Sequence, residues 1–188
     1  MSLKSCRLLL LLPLLGMGKC EKDPAPAFIL PAATQVGANT LGFIVDGRVW
    51  RNYGTRCTWG SCDSNKVRSY YNSRYQHFAI DVQQTAQNVN ETFGILLDSL
   101  KRAGAYPTTQ KVVAGRMNRQ IIFNDLLTNS TSLTTEIYVT RKTGSVIITR
   151  FDTVNHIIAG VFDGILYKNR DSTILVHITE GRFDVKYQ

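Results

Sequence analysis

Short runs of β-branched and aromatic residues, separated by turn residues, recur along the chain and are densest in residues 144–187. Within this stretch, apolar and polar side chains alternate in residues 173–179 and again, after Glu180 and Gly181, in residues 182–187. A period of two places one face of a strand on a core and the other in water. The stretch therefore predicts an antiparallel meander, with a strand on each side of residues 180 and 181.

Two segments fit this alternation less well and leave alternatives open. Residues 157–167 are interrupted at Gly160 and Gly164, and we interpret them as one bulged strand, the alternative being two short strands. Residues 90–104 match both the helical and the strand period, and we predict a strand that ends near Ser99.

The remaining runs complete an all-β pattern. Further strands are predicted within residues 67–82, 111–113, 119–123 and 136–142, the last turning through residues 143 and 144 into the meander. Turns that recur at intervals of roughly 8 to 12 residues are typical of sandwiches and barrels. The predicted fold is therefore all-β, an antiparallel β-sandwich or partly closed β-barrel, with one short helix at residues 90–104 as the open alternative.

The strongest local signal is the pair Asp46 and Gly47 between two apolar runs, which is typical of a two-residue hairpin turn. We place a single β domain at residues 41–188, beginning with this hairpin. Residues 20–40 hold three of the five prolines among small and polar residues, without periodicity. That composition is typical of a tether.

Residues 1–19 have the pattern of a signal peptide. Lys4 and Arg7 precede an apolar run at residues 8–15. The run is too short to cross a bilayer as a helix, which takes roughly 20 apolar residues, so we expect it to direct export and then to be removed. Its removal takes Lys4, Arg7 and Lys19 away and lowers the formal net charge by three, from +8 to +5.

The segment that follows carries a resemblance to known proteins. Residues 15–20, reading LGMGKC, resemble the processing site of bacterial lipoproteins, and the charged residues 21–23 resemble the export tract of Bacteroidota lipoproteins. With the hairpin GFIVDGRVW at residues 42–50 and the closing strand GRFDVKY at residues 181–187, the chain is similar to a family of uncharacterised Bacteroidota lipoproteins. The resemblance implies a lipid at Cys20, anchoring in the outer membrane or at the cell surface, and a β-rich domain without a catalytic residue. The alternative is a secreted protein with an unmodified Cys20.

Cysteine usage agrees with export. Once the leader is removed and Cys20 is acylated, Cys57 and Cys62 remain, five positions apart in CTWGSC. That spacing is too wide for a redox CxxC pair, and no second cysteine pair or nearby histidine completes a zinc site. We expect a disulfide between Cys57 and Cys62, which would stabilise the protein by about 2 kcal/mol because the closed loop is small.

Catalytic and nucleic-acid-binding motifs are missing from the sequence. His77, His156 and His177 have no metal-ligand spacing, and there is neither a nucleophile elbow nor a phosphate-binding loop. Carboxylates paired across strands are the open alternative, because two of them at the right separation could make a glycosidase. The basic excess is mild and forms no lysine or arginine block. We expect no enzyme activity, no cofactor, no metal and no nucleic acid partner.

Aromatic residues in the first third of the chain are the best candidates for binding. Trp59 lies in the cysteine loop, and Tyr70, Tyr71 and Tyr75 follow it with arginines interleaved. Flat rings stack on sugars and on guanidinium groups, so we predict these four side chains as contacts for a glycan or small ligand. The alternative is that alternate rings fill the core, as we expect for Trp50.

Two classes of function follow from these observations. The first is a surface-anchored module that binds a glycan or small ligand, with the membrane as a partner through the lipid. The second is a structural or assembly component of the outer envelope, which contacts envelope proteins and has no small ligand. A concave aromatic pocket would favour the first, whereas a flat apolar face or an exposed sheet edge would favour the second.

Overall fold

The computed structural model describes residues 28–58, 61–64, 67–86, 89–113, 116–126, 135–169 and 171–188. In these residues there is no helix, and β-strands are the regular secondary structure. The strands are β1 (Thr40–Val45), β2 (Arg48–Arg51), β3 (Thr55–Thr58), β4 (Ser61–Ser64), β5 (Val67–Asn72), β6 (His77–Ala86), β7 (Val89–Leu97), β8 (Gly104–Pro107), β9 (Thr109–Val113), β10 (Arg116–Leu126), β11 (Thr135–Asp152), β12 (Ile157–Lys168) and β13 (Asp171–Lys186). The predicted all-β fold is confirmed, and β7 occupies the segment for which a helix was the alternative.

One large antiparallel sheet contains eleven of these strands, and β3 and β4 form a separate two-stranded sheet. The order in the large sheet is β2-β1-β13-β12-β11-β10-β7-β6-β5, with β8 paired to β11 and β9 paired to β10. The terminal strands β2 and β5 do not pair with each other, so the sheet is not closed into a barrel. This architecture is compatible with the predicted sandwich.

The predicted turn at Asp46 and Gly47 joins β1 to β2. Val45 pairs with Arg48, which leaves a two-residue loop. The φ angles are 46° at Asp46 and 83° at Gly47. Positive φ at both central residues defines a type I′ turn, whose twist matches that of the flanking strands. The hairpin prediction is confirmed.

The predicted turn at Glu180 and Gly181 is wrong, because both residues lie inside β13. Ile178 to Gly181 of β13 lie opposite Gly164 to Phe162 of β12, so β13 contains one extra residue. Glu180 has a φ of 51°, and a left-handed residue of this kind is typical of a β-bulge. The chain bends here and continues as one strand.

β11 and β12 also run through positions at which breaks were expected. The turn predicted through Thr143 and Gly144 is wrong, because β11 is continuous and takes up two extra residues opposite β12 between Thr140 and Gly144. β12 is one strand, as predicted, but the extra residues lie in its partners β11 and β13. Bulges let long strands bend and follow a strongly curved sheet. The alternation of apolar and polar residues along one strand does not show where such bulges lie.

An aromatic cluster fills the interior of the curved sheet. The ring centroid of Phe43 lies 4.8 Å from Trp50, 4.4 Å from Phe93 and 5.8 Å from Phe162. All four side chains are buried, and burial of each stabilises the fold by roughly 1.5–3 kcal/mol. Because β1 and β7 lie far apart in the strand order, contact between Phe43 and Phe93 shows that the sheet folds over on itself. The prediction that Trp50 is a core residue is confirmed.

Two short backbone contacts join strands near one end of the strand order to strands at the other end. Tyr53, just after β2, forms a parallel bridge with Gln84 of β6. Gln188, just after β13, donates to the Ser69 carbonyl of β5 and accepts from the Tyr71 amide, both at 3.3 Å. The second contact brings the end of β13 beside β5.

The N-terminal strap, residues 34–39 of the segment interpreted as a tether, is fixed to the sheet by Asp184 of β13. The Asp184 carboxylate accepts a 2.7 Å hydrogen bond from the Thr34 hydroxyl and bonds of 2.7 to 3.1 Å from the backbone N–H groups of residues 36–38. Asp184 is 1% exposed. Burial raises the pKa of this carboxyl, but the four hydrogen bonds outweigh burial and hold the pKa below its usual value. The charged carboxylate therefore stabilises the strap.

Candidate ligand-binding cleft

A cleft of about 370 Å³ opens on the outer face of β5 and β6, beside the C-terminal end of β13. We call it the β5–β6 cleft. Its lining residues are Val67, Arg68, Ser69, Tyr70, Ala79, Asp81, Lys186 and Gln188. Sites for small molecules typically enclose roughly 300–1,000 Å³, so the volume suffices for a small ligand.

The pairing of β5 with β6 explains the chemistry of the cleft. Arg68 lies opposite Asp81, and Tyr70 lies opposite Ala79. Because Ala79 ends at its Cβ, the Tyr70 ring has no bulky neighbour across the strand and is 48% exposed. The Asn72 amide donates a 2.8 Å hydrogen bond to the Tyr70 hydroxyl. This bond holds one end of the ring while its face stays accessible.

The end of β13 provides the opposite side of the cleft. The Ser69 hydroxyl donates a 2.8 Å hydrogen bond to the Lys186 carbonyl, and the Gln188 backbone bonds to β5 on either side of Tyr70. These contacts place Lys186 and Gln188 next to Arg68. The residues that line the cleft therefore include one aromatic residue, two cationic residues, one acidic residue and several neutral polar residues.

A second, much smaller cavity continues the cleft. It encloses about 20 Å³, which is about the space that one water molecule needs. Arg68 and Asp81 line both cavities, while Thr55 of β3 and Asp63 of β4 line the second one alone. The cleft thus extends along β5 and β6 towards the β3–β4 hairpin.

Of the four aromatic residues predicted as ligand contacts, the cleft contains Tyr70. Tyr71 points to the opposite face of β5, where its ring centroid lies 5.2 Å from Phe151 and 5.3 Å from Tyr187. Its hydroxyl donates a 2.9 Å hydrogen bond to the Leu100 carbonyl. Burial, with a smaller contribution from Tyr106, raises the pKa of Tyr71. Tyr71 therefore packs against the core.

The other two aromatic candidates lie elsewhere. Tyr75 is in the turn between β5 and β6, 53% exposed, with the Arg74 guanidinium carbon 5.6 Å from its ring centroid. It does not line the cleft. Trp59 lies outside the described residues, so its role as a ligand contact stays a prediction.

The predicted cysteine pair occupies facing positions in the β3–β4 hairpin. Cys57 of β3 lies directly opposite Cys62 of β4, and Cys62 is disulfide-bonded. This register is the one that a bridge between the two residues requires. Cys20, the predicted lipid attachment site, lies outside the described residues.

Sequence reasoning missed Asp81, Lys186 and Gln188 as cleft residues. Asp81 has a local signal, because alternation in residues 67–82 places one set of side chains in water. Lys186 and Gln188 have none, since they reach Arg68 only through the curvature of the whole sheet.

One histidine of β6 is paired with a carboxylate. Nδ1 of His77 lies 2.6 Å from Oδ1 of Asp98, and His77 lies opposite Asn72 at the far end of the β5–β6 ladder. Such a pair orients an imidazole ring. His77 does not line the cleft.

In the part of the chain that the structure describes, no group of three or more His, Cys, Asp or Glu side chains is placed to hold a metal ion. The described residues include no helix that is long and apolar enough to cross a membrane. The chain matches no protein-family model, no curated protein and no solved structure.

Proposed function

We propose that this protein is a lipid-anchored binding module of the bacterial cell envelope, which takes a glycan or small ligand in the β5–β6 cleft. The observation that supports this function is the position of Tyr70. Its ring lies 48% exposed opposite Ala79, inside a cleft whose other lining residues are largely polar. The proposal includes no catalytic step.

The chemistry of the cleft suits a saccharide. The C–H face of a sugar ring packs on an aromatic ring, while the side chains of Arg68, Asp81 and Gln188 can exchange hydrogen bonds with sugar hydroxyls. One aromatic contact contributes about 0.5–1.5 kcal/mol beyond area burial. Affinity for a single saccharide unit should therefore be weak, and many anchored copies on a polymeric glycan would strengthen it through avidity.

The test is an array of neutral and acidic oligosaccharides, probed with purified full-length protein and followed by calorimetry on the saccharides that bind. Tyr70→Ala should abolish binding while leaving the circular dichroism spectrum unchanged. Tyr75→Ala is the matched control, because it removes an exposed tyrosine of the same hairpin that lies outside the cleft. Unchanged binding by a folded Tyr70→Ala variant would remove the cleft as the site.

Anchoring is the second part of the proposal. The apolar run at residues 8–15 ends shortly before Cys20, and charged residues follow it, which supports acylation of Cys20. Cys20→Ser should move the protein from the membrane fraction to the soluble envelope fraction. Fractionation of this variant with the membrane would contradict a lipid anchor at Cys20.

A structural or assembly role is the alternative, and one observation favours it. Ile147 of β11 and Val161 of β12 lie directly opposite each other and are 42% and 37% exposed. An exposed apolar pair of this kind is suited to a contact with another envelope protein. If this role is correct, Ile147→Thr combined with Val161→Thr should reduce the size of the complex extracted by mild detergent, whereas Tyr70→Ala should not.

A further inference from the structure

We infer that the domain contacts the lipid surface directly, through the end that carries Phe28, Ile29 and Tyr53. This inference rests on the anchor at Cys20 that is part of the proposed function, and it adds a second contact with the same bilayer. Two observations support it. The chain between Cys20 and the domain is short, and apolar side chains are exposed where that chain meets the domain.

Contact with the sheet begins within residues 20–40, the segment predicted as a tether. The Phe28 ring lies edge-on to the Tyr53 ring, with 5.1 Å between the ring centroids. Pro31 packs against β1, and the strap that follows is bound to β13 by four hydrogen bonds. The part of the tether that precedes all of these contacts is therefore residues 21–27.

The length of residues 21–27 limits how far the domain can lie from the anchor. From Cys20 to Phe28 there are eight residue steps, which span at most roughly 26–29 Å when fully extended. A domain of about 160 residues has a radius of gyration of about 15 Å and is about 40 Å across. Phe28 therefore cannot lie on the side that faces away from the bilayer, because the chain would then have to pass around the whole domain.

The side chains exposed at this end suit a lipid surface. Ile29 is 75% exposed and Tyr53 is 37% exposed. A single exposed isoleucine is common on protein surfaces, but this one follows Phe28, whose ring contacts Tyr53. Aliphatic side chains bury at the boundary between headgroups and acyl chains, and tyrosine places its ring and hydroxyl at the headgroup level. Contact with the bilayer would cover side chains that are otherwise in water.

β6 fixes the position of Tyr53 and provides a reference position at its other end. The Tyr53 amide donates to the Gln83 carbonyl at 3.2 Å, and the Tyr53 carbonyl accepts from the Thr85 amide at 2.9 Å. Tyr75 lies in the turn just before His77, the first residue of β6. From Gln83 to His77 the strand extends over roughly 20 Å at the usual rise per residue. Tyr75 is therefore an exposed tyrosine at the end of β6 that lies away from Tyr53.

The experiment uses the full-length protein as it is exported, purified from membranes and reconstituted in vesicles of phosphatidylethanolamine and phosphatidylglycerol. The vesicles contain a lipid with a photoactivated diazirine near its headgroup, and mass spectrometry locates the lipid adducts on the protein. Tyr53 is the informative position, because it is far from Cys20 in sequence. Tyr75 is the more exposed of the two tyrosines, 53% against 37%, so random collisions with lipid would label it at least as often. We expect several times more adduct at Tyr53 than at Tyr75.

Two variants test the assignment of residues. Ile29→Ser should lower the adduct yield at Tyr53 by about threefold or more, because it removes an aliphatic side chain that would otherwise bury in the bilayer. Val154→Ser is the matched control, since it removes an 86% exposed apolar side chain from the turn between β11 and β12, and it should leave the yield unchanged. Circular dichroism checks that each variant folds. Equal yields in the two variants would overturn the contact, because the exposed isoleucine would then contribute nothing to it.

The outcomes separate this inference from the proposed function. Protein that floats with the vesicles but carries as much adduct at Tyr75 as at Tyr53, or none at either, would overturn the contact and keep the anchor. Protein that does not float with the vesicles would overturn the anchor and the contact together. Saccharide binding in the β5–β6 cleft is measured independently and depends on neither result.

Discussion

The indole nitrogen of Trp50 in β2 donates a 2.9 Å hydrogen bond to the carboxylate of Glu91 in β7, across the interior of the curved sheet. The Arg48 guanidinium donates to the same carboxylate at 2.7 and 3.0 Å and to the Gln84 side-chain carbonyl at 3.3 Å. Glu91 is 7% exposed. Because β2 and β7 are far apart in the strand order, this network joins two strands that do not pair with each other.

We expect Glu91→Gln to lower the free energy of unfolding by about 1.5–3 kcal/mol, the usual contribution of a hydrogen bond to a charged group. The amide of the variant keeps one oxygen that can accept from Trp50 or Arg48. It loses the negative charge of the carboxylate that accepts from both residues in the wild type. Urea unfolding followed by tryptophan fluorescence measures the change. Glu180→Gln is the control, because Glu180 is 60% exposed in its pair with Arg182 and such surface pairs contribute about 0–1 kcal/mol. Equal losses in the two variants would contradict a structural role for Glu91.

Asp184→Asn should release the N-terminal strap. An amide presents N–H donors where the strap directs its own donors at Asp184, so some of the hydrogen bonds from Thr34 and residues 36–38 are lost. Hydrogen exchange should show faster exchange of the amides of residues 36–38 in this variant. Asp171→Asn, which changes a carboxylate that accepts hydrogen bonds from the backbone and hydroxyl of Thr173, should leave these amides protected. Protection that survives Asp184→Asn would show that other contacts hold the strap.

The same carboxylate makes stability depend on pH. The pKa of Asp184 is lower in the folded protein than its usual value of about 3.9. Its contribution to stability is therefore fully present above the unfolded pKa and is lost as the pH falls through the folded pKa. Urea unfolding between about pH 6 and pH 2.5 should show a shallower loss of stability in Asp184→Asn than in the wild type. If the free energy of unfolding falls equally with pH in the two proteins, Asp184 does not contribute to the loss of stability in acid.

The bulge in β13 makes Gly181 sensitive to substitution. A Cβ at this position would collide with the Phe162 ring and would lie 2.5 Å from the Phe162 carbonyl oxygen. We expect Gly181→Ala to lower the free energy of unfolding by about 1–3 kcal/mol through overpacking. Ser172→Ala on the exposed part of the same strand should change it by less than about 0.5 kcal/mol. A Gly181→Ala variant as stable as Ser172→Ala would mean that β12 and β13 separate without cost.

The sequence predicted correctly those turns whose conformation is determined by the turn residues themselves. Asp46 and Gly47 adopt the left-handed conformations that a type I′ turn requires, so the sequence alone specifies this hairpin. Glu180 and Gly181 carry the same kind of signal, yet they form a bulge. A left-handed residue serves a turn or a bulge equally well, and pairing of both flanking segments with β12 decides between them.

The cleft could be predicted only in part, for the same reason. Aromatic enrichment identified Tyr70, but the adjacent Tyr71 faces the core. Strand alternation places the two rings on opposite faces of β5, but it does not say which of the two faces is buried. That face is set by the buried partners Phe78 and Ile80 of β6. Lys186 reaches the cleft through the contact between Gln188 and Ser69, which depends on the curvature of the complete sheet.

The β3–β4 hairpin provides the last prediction. It pairs with no other strand among the described residues, yet Thr55 and Asp63 border the small cavity that adjoins the cleft. We expect Cys57 and Cys62 to be bridged in the exported protein, so mass spectrometry without reductant should find neither as a free thiol. The double variant Cys57→Ser and Cys62→Ser should lose at most about 2 kcal/mol, because the bridge closes a short loop, and the main sheet should keep its hydrogen-exchange protection. Free thiols in the exported protein would contradict the bridge, and loss of protection in β6 and β7 would show that the hairpin supports the sheet.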